Sequence, residues 1–172
     1  HGDRLMALKT TVAAGLASNT ATWSGGTLPV TDDDIQQDHN LTWDIATAIK
    51  DFVQASTGVV LTIDTGAYLD FRGEVKLHNN GTKRSNVIML PGARIRFDAA
   101  NQSGASAGKV WNTAGATHAR FETQGTLANP CYFEQFGSGA RKMLWSHNNN
   151  GTQTPGMWSK LRYTYFVNVD IE

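Results

Sequence analysis

From residue 59 onward, apolar and polar residues alternate along the chain with a period of two, which is the pattern of half-buried β-strands. Two six-residue segments show it most clearly, because GAYLDF at 66–71 returns as GARIRF at 92–97. Each segment follows an apolar run, VVLTI at 59–63 and VIML at 87–90. A fixed period of 26 residues indicates one structural unit that is stacked repeatedly, and short strands in such a unit indicate a solenoid.

The polar positions of these two segments predict how they pair. If the segments are parallel neighbours in register, Asp70 lies beside Arg96, and Arg72 lies beside Asp98. Each pair of opposite charges is worth roughly a few tenths of a kcal/mol, and a shift by one residue would also turn the apolar side chains outward. The apolar pattern and the charges therefore predict the same parallel register.

A third copy of the unit is predicted at GATHARF, 115–121, which has one extra residue and would place Arg120 beside Arg96. The stretches 101–114 and 137–160 are rich in small and polar residues. Such composition is typical of loops, so we expect both stretches to project from corners of the stack.

The first 58 residues show helical spacing instead. Apolar residues recur three or four positions apart within 3–17 and again within 45–53, which predicts two short amphipathic helices. The predicted fold is therefore all-β, a right-handed parallel β-helix (solenoid) with one or two short N-terminal capping helices. Residues 1–58 would form the capping segment and 59–172 the rungs with their loops. A β-sandwich is the alternative, and the near-identical rungs disfavour it.

Composition excludes several classes of function. Fifteen basic residues balance 15 acidic ones, so no net field attracts nucleic acid or an anionic membrane. Cys131 is the single cysteine, which excludes an internal disulfide, and its apolar neighbours predict a buried, inert thiol. No apolar run approaches the ~20 residues of a membrane span. We expect no cofactor, because cofactor-binding motifs and histidine clusters are lacking.

Both ends of the sequence predict neighbours for this chain. It opens on His1 rather than methionine and closes on the strand-like run YTYFVNVDI at 163–171. A solenoid that stops within a strand normally needs another repeat or a cap. We therefore expect a longer parent protein, with other copies or subunits of an assembly as partners.

Motifs from residue 23 onward resemble a known module. WSGGTLPVTDDDI at 23–35, LTI at 61–63 and GAYLDF at 66–71 are similar to the eight-glycine domain, an extracellular all-β module that begins many right-handed β-helix proteins. Proteins with such a start include surface adhesins, hyaluronan-processing secreted proteins and phage tail or tailspike components. The resemblance implies a location on a virion or an extracellular surface, and the missing cysteine pairs favour a virion.

An acidic run is a candidate metal site. Asp32, Asp33 and Asp34 carry oxygen donors of the kind that calcium prefers. The run lacks the spacing of a calcium-binding loop, so an acidic turn before a strand is the favoured interpretation.

Two further carboxylates are candidates for catalysis. Asp98 and Glu122 would face outward on adjacent rungs, at a separation that suits a glycoside-cleaving pair of acids. Arg72 beside Asp98 offers a simpler interpretation, which is a solvent-exposed ladder of charges.

Two groups of residues are candidates for ligand binding. Tyr68, Arg94 and His118 would form an outward aromatic and basic column that suits an acidic sugar. Trp145 and Trp158, in loop-like sequence, are candidates for a second sugar platform. In both groups, simple coverage of the sheet or anchoring of a loop is at least as well supported.

Taken together, these patterns favour a structural β-helix module of a virion appendage, resembling a phage tail, tail-fibre or tailspike component. It would serve assembly and attachment to a surface polysaccharide. One alternative is a secreted carbohydrate-active enzyme, either a polysaccharide lyase or a hydrolase. A calcium-dependent surface adhesin is the other. The sequence names no reaction, and a non-enzymatic role is favoured.

Overall fold

The computed structural model describes residues 7–56, 58–73, 75–76, 84–98, 110–111, 118–137, 142–143 and 160–170. These residues form strands and two short 3-10 segments, Thr20–Thr22 and Ser24–Gly26, and they contain no α-helix. The strands are β1 (Leu8–Thr10), β2 (Gly15–Leu16), β3 (Asp34–Gln37), β4 (Leu41–Trp43), β5 (Thr47–Ile49), β6 (Phe52–Gln54), β7 (Val60–Ile63), β8 (Tyr68–Phe71), β9 (Val75–Lys76), β10 (Arg84–Met89), β11 (Arg94–Asp98), β12 (Val110–Trp111), β13 (His118–Thr123), β14 (Cys131–Phe136), β15 (Lys142–Met143), β16 (Thr164–Val167) and β17 (Val169–Asp170). The described chain is all-β.

Within this part of the chain, every pairing between named strands is parallel. Sheet 1 has the order β1-β3-β6-β9-β12, sheet 2 the order β2-β4-β7-β10-β13, and sheet 3 the order β5-β8-β11-β14-β16. β15 and β17 form a separate parallel pair. From β3 to β14, the chain visits sheets 1, 2 and 3 in strict rotation. We call one passage through the three sheets a circuit. Each strand therefore pairs with the strand of the same sheet in the preceding circuit.

The register predicted from the repeat is confirmed. In β8 and β11, Asp70 lies opposite Arg96 and Phe71 lies opposite Phe97. The two phenylalanine rings stack with their centroids 6.0 Å apart. The largest fully buried side chains of the core are Trp23, Trp43, Phe52, Phe71, Phe97, Phe133, Ile35, Leu41, Ile49, Leu61, Ile63 and Leu69. Alternation thus buries one side of each sheet. That side is mostly apolar, but in sheet 1 it also includes Gln37 and Gln54.

The two N-terminal helices predicted from apolar spacing are wrong. The described part of 3–17 contains β1 and β2, while 45–53 contains β5 and most of β6. Ile49 and Phe52 are both buried, but they lie in strands of different sheets on either side of a corner. Two short strands joined by a corner can reproduce helical spacing. Pairing with β8 and β9 then decides the conformation, because tertiary context overrides local propensity.

Parallel pairing continues across residue 58. β4 pairs with β7, β5 with β8, and β6 with β9. The predicted division into residues 1–58 and 59–172 stays a prediction.

Trp23, a residue of the eight-glycine resemblance, is a core residue. Its Nε1 donates a hydrogen bond to the carbonyl of Ala17 at 2.9 Å. Its ring meets that of Trp43 edge-on, with the centroids 6.3 Å apart. The segment before β3 is therefore folded onto the first circuits by an aromatic anchor.

The position predicted for the third rung is wrong. Arg120, in β13, lies opposite Asn86 in sheet 2. The strand that follows β11 in sheet 3 is β14, where Glu134 lies opposite Arg96. The 26-residue period is not maintained, because Arg94 pairs with Tyr132, 38 residues later. A motif search at fixed spacing therefore selects a strand of the wrong sheet.

Most of the two predicted loops, 101–114 and 137–160, lies outside the described residues. The described parts of these stretches include β12 and β15. Across the residues that the structure describes, no helix has the length and hydropathy of a membrane span.

Candidate ligand-binding face on sheet 3

Polar and aromatic side chains cover the outer surface of sheet 3, because they alternate with the buried residues of its strands. In β14, for example, Cys131, Phe133 and Gln135 are buried, and the residues between them are partly exposed. We call the outward set the ladder face; it consists of Tyr68, Asp70, Arg72, Arg94, Arg96, Asp98, Tyr132, Glu134, Phe136, Tyr165 and Val167.

Arg96 lies at the centre of the ladder face. Its Nε is 2.8 Å from Oδ1 of Asp70, and its Nη2 donates a hydrogen bond to Oδ2 at 3.0 Å. The guanidinium carbon is also 4.6 Å from the ring centroid of Tyr68 and 4.5 Å from that of Phe136. One side chain thus joins three consecutive strands by a two-point ion pair and two cation–π contacts.

Arg94 joins β11 to β14 in a similar way. Its Nη1 donates a hydrogen bond to Oε1 of Glu134 at 2.9 Å. Its guanidinium carbon lies 4.3 Å from the ring centroid of Tyr132. The charge of Arg94 is therefore neutralised by a carboxylate, while its plane covers an aromatic ring.

Arg72 makes the second ion pair predicted from the sequence. Its Nε is 3.8 Å from Oδ2 of Asp98, which confirms the expected neighbour. Its Nη1 also donates a hydrogen bond to Oδ1 of Asp32 at 3.1 Å, a contact that the repeat does not predict. The three arginines of the ladder face thus each have a carboxylate partner.

Asp70 is an outward-facing residue that is nevertheless only 6% exposed. Burial raises the pKa of its carboxyl to about 6, and Asp98 and Glu134 contribute in the same direction. Arg96 and Arg72 oppose this rise in pKa. The carboxylate is therefore charged at neutral pH, although its burial makes the charged form less favourable.

Tyr132 and Tyr165 form a stacked pair at the end of the ladder face. Their ring centroids are 5.5 Å apart, and the ring planes differ by 23°. The strand order β11-β14-β16 puts Arg94 and Tyr165 on opposite sides of Tyr132. Tyr165 is 55% exposed and lies in the last strand of sheet 3 among the described residues.

The structure brings together only part of the ligand-binding column predicted from Tyr68, Arg94 and His118. Tyr68 lies opposite Arg94 as expected, but its ring is in contact with Arg96. His118 is not in the column, because it lies in sheet 2 opposite Arg84. Trp145 and Trp158 lie outside the described residues. Their proposed roles in ligand binding stay predictions.

Sequence reasoning missed Tyr132 and Tyr165. A signal was available, because CYFEQF at 131–136 and YTYFV at 163–167 both place a tyrosine directly before a phenylalanine in an alternating run. Phe133 and Phe166 stack inside the sheet, with centroids 5.3 Å apart, and the tyrosines stack outside it. Recognition of the pair requires the register that joins β14 to β16.

The carboxylates proposed for catalysis do not lie on neighbouring strands of one sheet. Asp98 lies in sheet 3 opposite Phe136, whereas Glu122 lies in sheet 2 opposite Ile88. This correction follows from the wrong assignment of the third rung. Asp98 interacts with Arg72 instead.

The acidic run forms a turn whose carboxylates contact separate partners. Asp33 is 3% exposed and accepts backbone hydrogen bonds from Ala7 and Val30 at 3.2 and 3.0 Å. Asp32 pairs with an arginine of the ladder face, and Asp34 belongs to β3. No cluster of three metal-ligating side chains occurs among the residues that the structure describes.

Cys131 is buried, as the sequence predicts. Its Sγ is within 3.6 Å of the Met89 carbonyl and 3.3 Å of the Leu90 carbonyl. Burial raises the pKa of the thiol, which lowers the fraction of reactive thiolate.

Comparisons with known proteins assign no identity to the chain. No family model, no curated protein and no solved structure matches it. The resemblance to the eight-glycine domain therefore stays a prediction, and the functional argument rests on the contacts described above.

Proposed function

We propose that this chain is a segment of a right-handed parallel β-helix. The rotation of twelve consecutive strands, β3 to β14, through three parallel sheets supports this fold. Crossovers between parallel strands are right-handed in about 98% of cases. Closure of the three sheets around the buried columns would leave the ladder face on the outside.

The function that this fold supports best is that of a structural module in a virion appendage, such as a phage tail, tail fibre or tailspike. The module would assemble with other copies or subunits on a virion or an extracellular surface. The main support is the set of ion pairs that join distant segments, since Arg72 and Arg94 each bond to a residue 40 positions away. Such ties between circuits favour a rigid rod that resists shear and proteolysis.

Attachment to a surface glycan is the second part of this proposal. Four aromatic side chains, Tyr68, Tyr132, Phe136 and Tyr165, lie on the ladder face together with hydrogen-bonding groups. Aromatic residues with a polar tip are suited to ligands that have one apolar face and many hydroxyl groups.

Hydrogen exchange under native conditions tests the fold. Strands of one circuit that lie in different sheets should share a similar level of protection, because each circuit of a stacked fold is stabilised by contacts with its neighbours. Strands of one sheet that exchange orders of magnitude faster than the others would contradict a closed β-helix.

Incubation with host-surface polysaccharide tests the role. A structural attachment module should bind the polymer without shortening it, and light scattering should detect assembly with copies or neighbouring subunits. Shortening of the polymer would support the enzyme alternative instead. A chain that neither associates nor binds polymer would contradict the proposed role.

Polysaccharide cleavage is retained as the second candidate function, because one observation favours it. Asp70 pairs with Arg96, whose guanidinium contacts two aromatic rings, and its pKa is raised to about 6, a property of general acids in glycoside hydrolysis. If cleavage occurs, Asp70→Asn should abolish it, while Asp64→Asn, at a corner away from the ladder face, should not. Cleavage that survives Asp70→Asn would exclude this residue.

A further inference from the structure

A shallow groove with a volume of about 570 Å³ crosses the outer face of sheet 2. Its lining residues belong to β2, β4 and β7 or directly precede β2 and β4. In the strand order of the sheet, β4 lies between β2 and β7, and β7 lies between β4 and β10. The side chains that β4 and β7 contribute therefore lie on the face of the sheet, with a paired strand on both sides.

Two threonine hydroxyls lie side by side in this groove. Thr42 is opposite Thr62 in the parallel register of β4 and β7, and neighbouring strands are about 4.8 Å apart. Both threonines are partly exposed, and among the described residues neither hydroxyl makes a hydrogen bond. Because a hydroxyl can donate one hydrogen bond and accept two, this pair has unused capacity for bonds to a ligand.

Asn40 adds an oriented amide to the groove. The backbone N–H of Val60 donates a hydrogen bond to Oδ1 of Asn40 at 2.9 Å. This bond identifies the oxygen of the amide and holds it toward β7, which leaves the NH₂ group as a donor for a ligand. The groove thus combines one fixed amide with two hydroxyl groups.

The rest of the groove is aliphatic and uncharged. Leu16, which is 46% exposed, lies opposite Thr42, and Val60 lies two residues before Thr62 on β7. None of the described residues that line the groove carries a charge. An anionic ligand would therefore find no counter-charge here, whereas the hydroxyl groups and the C–H surface of a neutral ligand would both find partners.

We propose that the groove on sheet 2 binds a neutral saccharide. Sugar hydroxyls would bond to Asn40, Thr42 and Thr62, and an apolar sugar face would lie on Leu16 and Val60. Ligand sites commonly combine an apolar contact surface with a few placed polar groups in this way. The inference rests on the proposed attachment to glycans, and it adds to the ladder face a second contact whose ligand is an uncharged sugar.

A glycan array followed by calorimetry tests the inference. The array presents neutral hexose and N-acetylhexosamine oligosaccharides beside oligosaccharides that contain uronic or sialic acids. The wild-type chain should bind neutral oligosaccharides. In calorimetry with the neutral oligosaccharide that binds most strongly on the array, added salt should change the affinity by less than about twofold, because no net charge is exchanged.

Two substitutions at Thr62 test the position of the site. Thr62→Val removes a hydroxyl but keeps the shape of the side chain, and it should weaken binding of this neutral oligosaccharide about three- to tenfold, as expected for one hydrogen bond. Thr62→Trp should abolish binding, because the indole would fill the groove. Valine and tryptophan both favour strands, so both variants should melt at the wild-type temperature.

Thr65→Val is the matched control, because Thr65 is exposed after the end of β7 and does not line the groove. It should bind the neutral oligosaccharide as the wild type does. Asn40→Asp provides a second comparison if a variant at Thr62 melts earlier. It keeps an oxygen for the N–H of Val60 but loses the NH₂ donor, so it should weaken binding at least about threefold.

Three results would overturn the inference. Binding of acidic oligosaccharides alone would show that the groove has no neutral ligand, and unchanged affinity in the variants at Thr62 and Asn40 would place the neutral glycan elsewhere on the chain. In both cases the proposed attachment to glycans survives. Binding to no oligosaccharide of the array would overturn the inference together with the glycan part of the proposed function, while light scattering would still decide the assembly part.

Discussion

At the scale of single residues, Arg96 contacts strands of both the preceding and the following circuit. It contacts Asp70 in the preceding strand and Phe136 in the following strand. A buried ion pair adds little net stability compared with apolar residues of the same shape, but loss of one partner leaves an unpaired buried charge. Removal of Arg96 alone should therefore lower the free energy of unfolding more than replacement of both members of the pair.

Replacement of Arg96 should destabilise the fold more than replacement of a cation whose carboxylate partners are solvent-accessible. We expect Arg96→Met to lower the free energy of unfolding by about 2–4 kcal/mol, because Asp70 loses its closest counter-charge. Lys50→Met is the control, since Lys50 lies 3.9–4.0 Å from its carboxylates and should cost less than about 1 kcal/mol. Urea denaturation measures both. Equal losses in the two variants would contradict a special role for Arg96.

Asp70 should make stability depend on pH in an unusual direction. Its pKa is raised from 3.8 to about 6 in the folded chain, so the folded state binds this proton more tightly than the unfolded state does. The free energy of unfolding should therefore rise as the pH falls through 6 toward 4, by roughly 2–3 kcal/mol from this group.

Asp70→Asn isolates this effect of pH. The difference in unfolding free energy between the wild type and Asp70→Asn, measured by urea denaturation from pH 4 to 7.5, should change mainly between pH 4 and 6. A difference that stays constant over this range would show that Asp70 titrates normally.

At the scale of elements, glycine corners set the spacing of strands in sheet 3. Gly66 and Gly92 precede β8 and β11 with φ values of 69° and 79°, a region that disfavours other residues. The corners also stack, because the amide of Gly66 donates to the carbonyl of Pro91 at 3.3 Å, and that of Gly92 to Asn129 at 3.1 Å. Successive corners therefore align the strands that follow them.

Substitution at Gly92 tests the requirement for this conformation. Gly92→Ala should lower the free energy of unfolding by about 1–2 kcal/mol, because alanine is strained at positive φ. Its new Cβ would meet neighbouring atoms only at ordinary contact distances, with Gly66 N at 3.5 Å. Gly92→Asn should cost less, since asparagine tolerates the left-handed region better. A larger loss for asparagine in thermal denaturation would indicate a steric cause instead.

The long strands of the repeat can be predicted from the sequence, whereas the short strands before it cannot. The alternation in 66–71 and 92–97 was sufficient to predict both strands, their inward faces and their mutual register. The strands at 47–49 and 52–54 were predicted as a helix, because each is three residues long and too short to display a period. Their conformation depends on β8 and β9, which are distant in sequence.

At the scale of the whole molecule, stacking makes each circuit depend on its neighbours. Cys131 illustrates this, because its Sγ lies against carbonyls at 89 and 90, more than 40 positions earlier. Exposure of this thiol requires separation of β14 from the preceding circuit.

Thiol labelling should therefore report the opening of the stack. We expect Cys131 to react with a neutral thiol reagent at least about a thousandfold more slowly in the native chain than in denaturant. Both burial and the raised pKa of the thiol slow the reaction. Labelling at the rate of a free cysteine under native conditions would show that β14 opens readily. Phe133→Ala, which removes a core ring from the same strand, should accelerate labelling.

Local sequence alone determined the strands of the repeat, the side of each that is buried, and the pairing of Asp70 with Arg96. These features depend on alternation and on charges in two nearly identical segments. Tertiary structure alone decided that β14 rather than 115–121 follows β11, and that Tyr132 stacks on Tyr165. The reason is that successive circuits differ in length, so opposite residues in sheet 3 are separated by 22, 26, 38 and 33 positions. No periodic pattern encodes those separations, and only the backbone pairing between distant strands brings the columns of the ladder face into line.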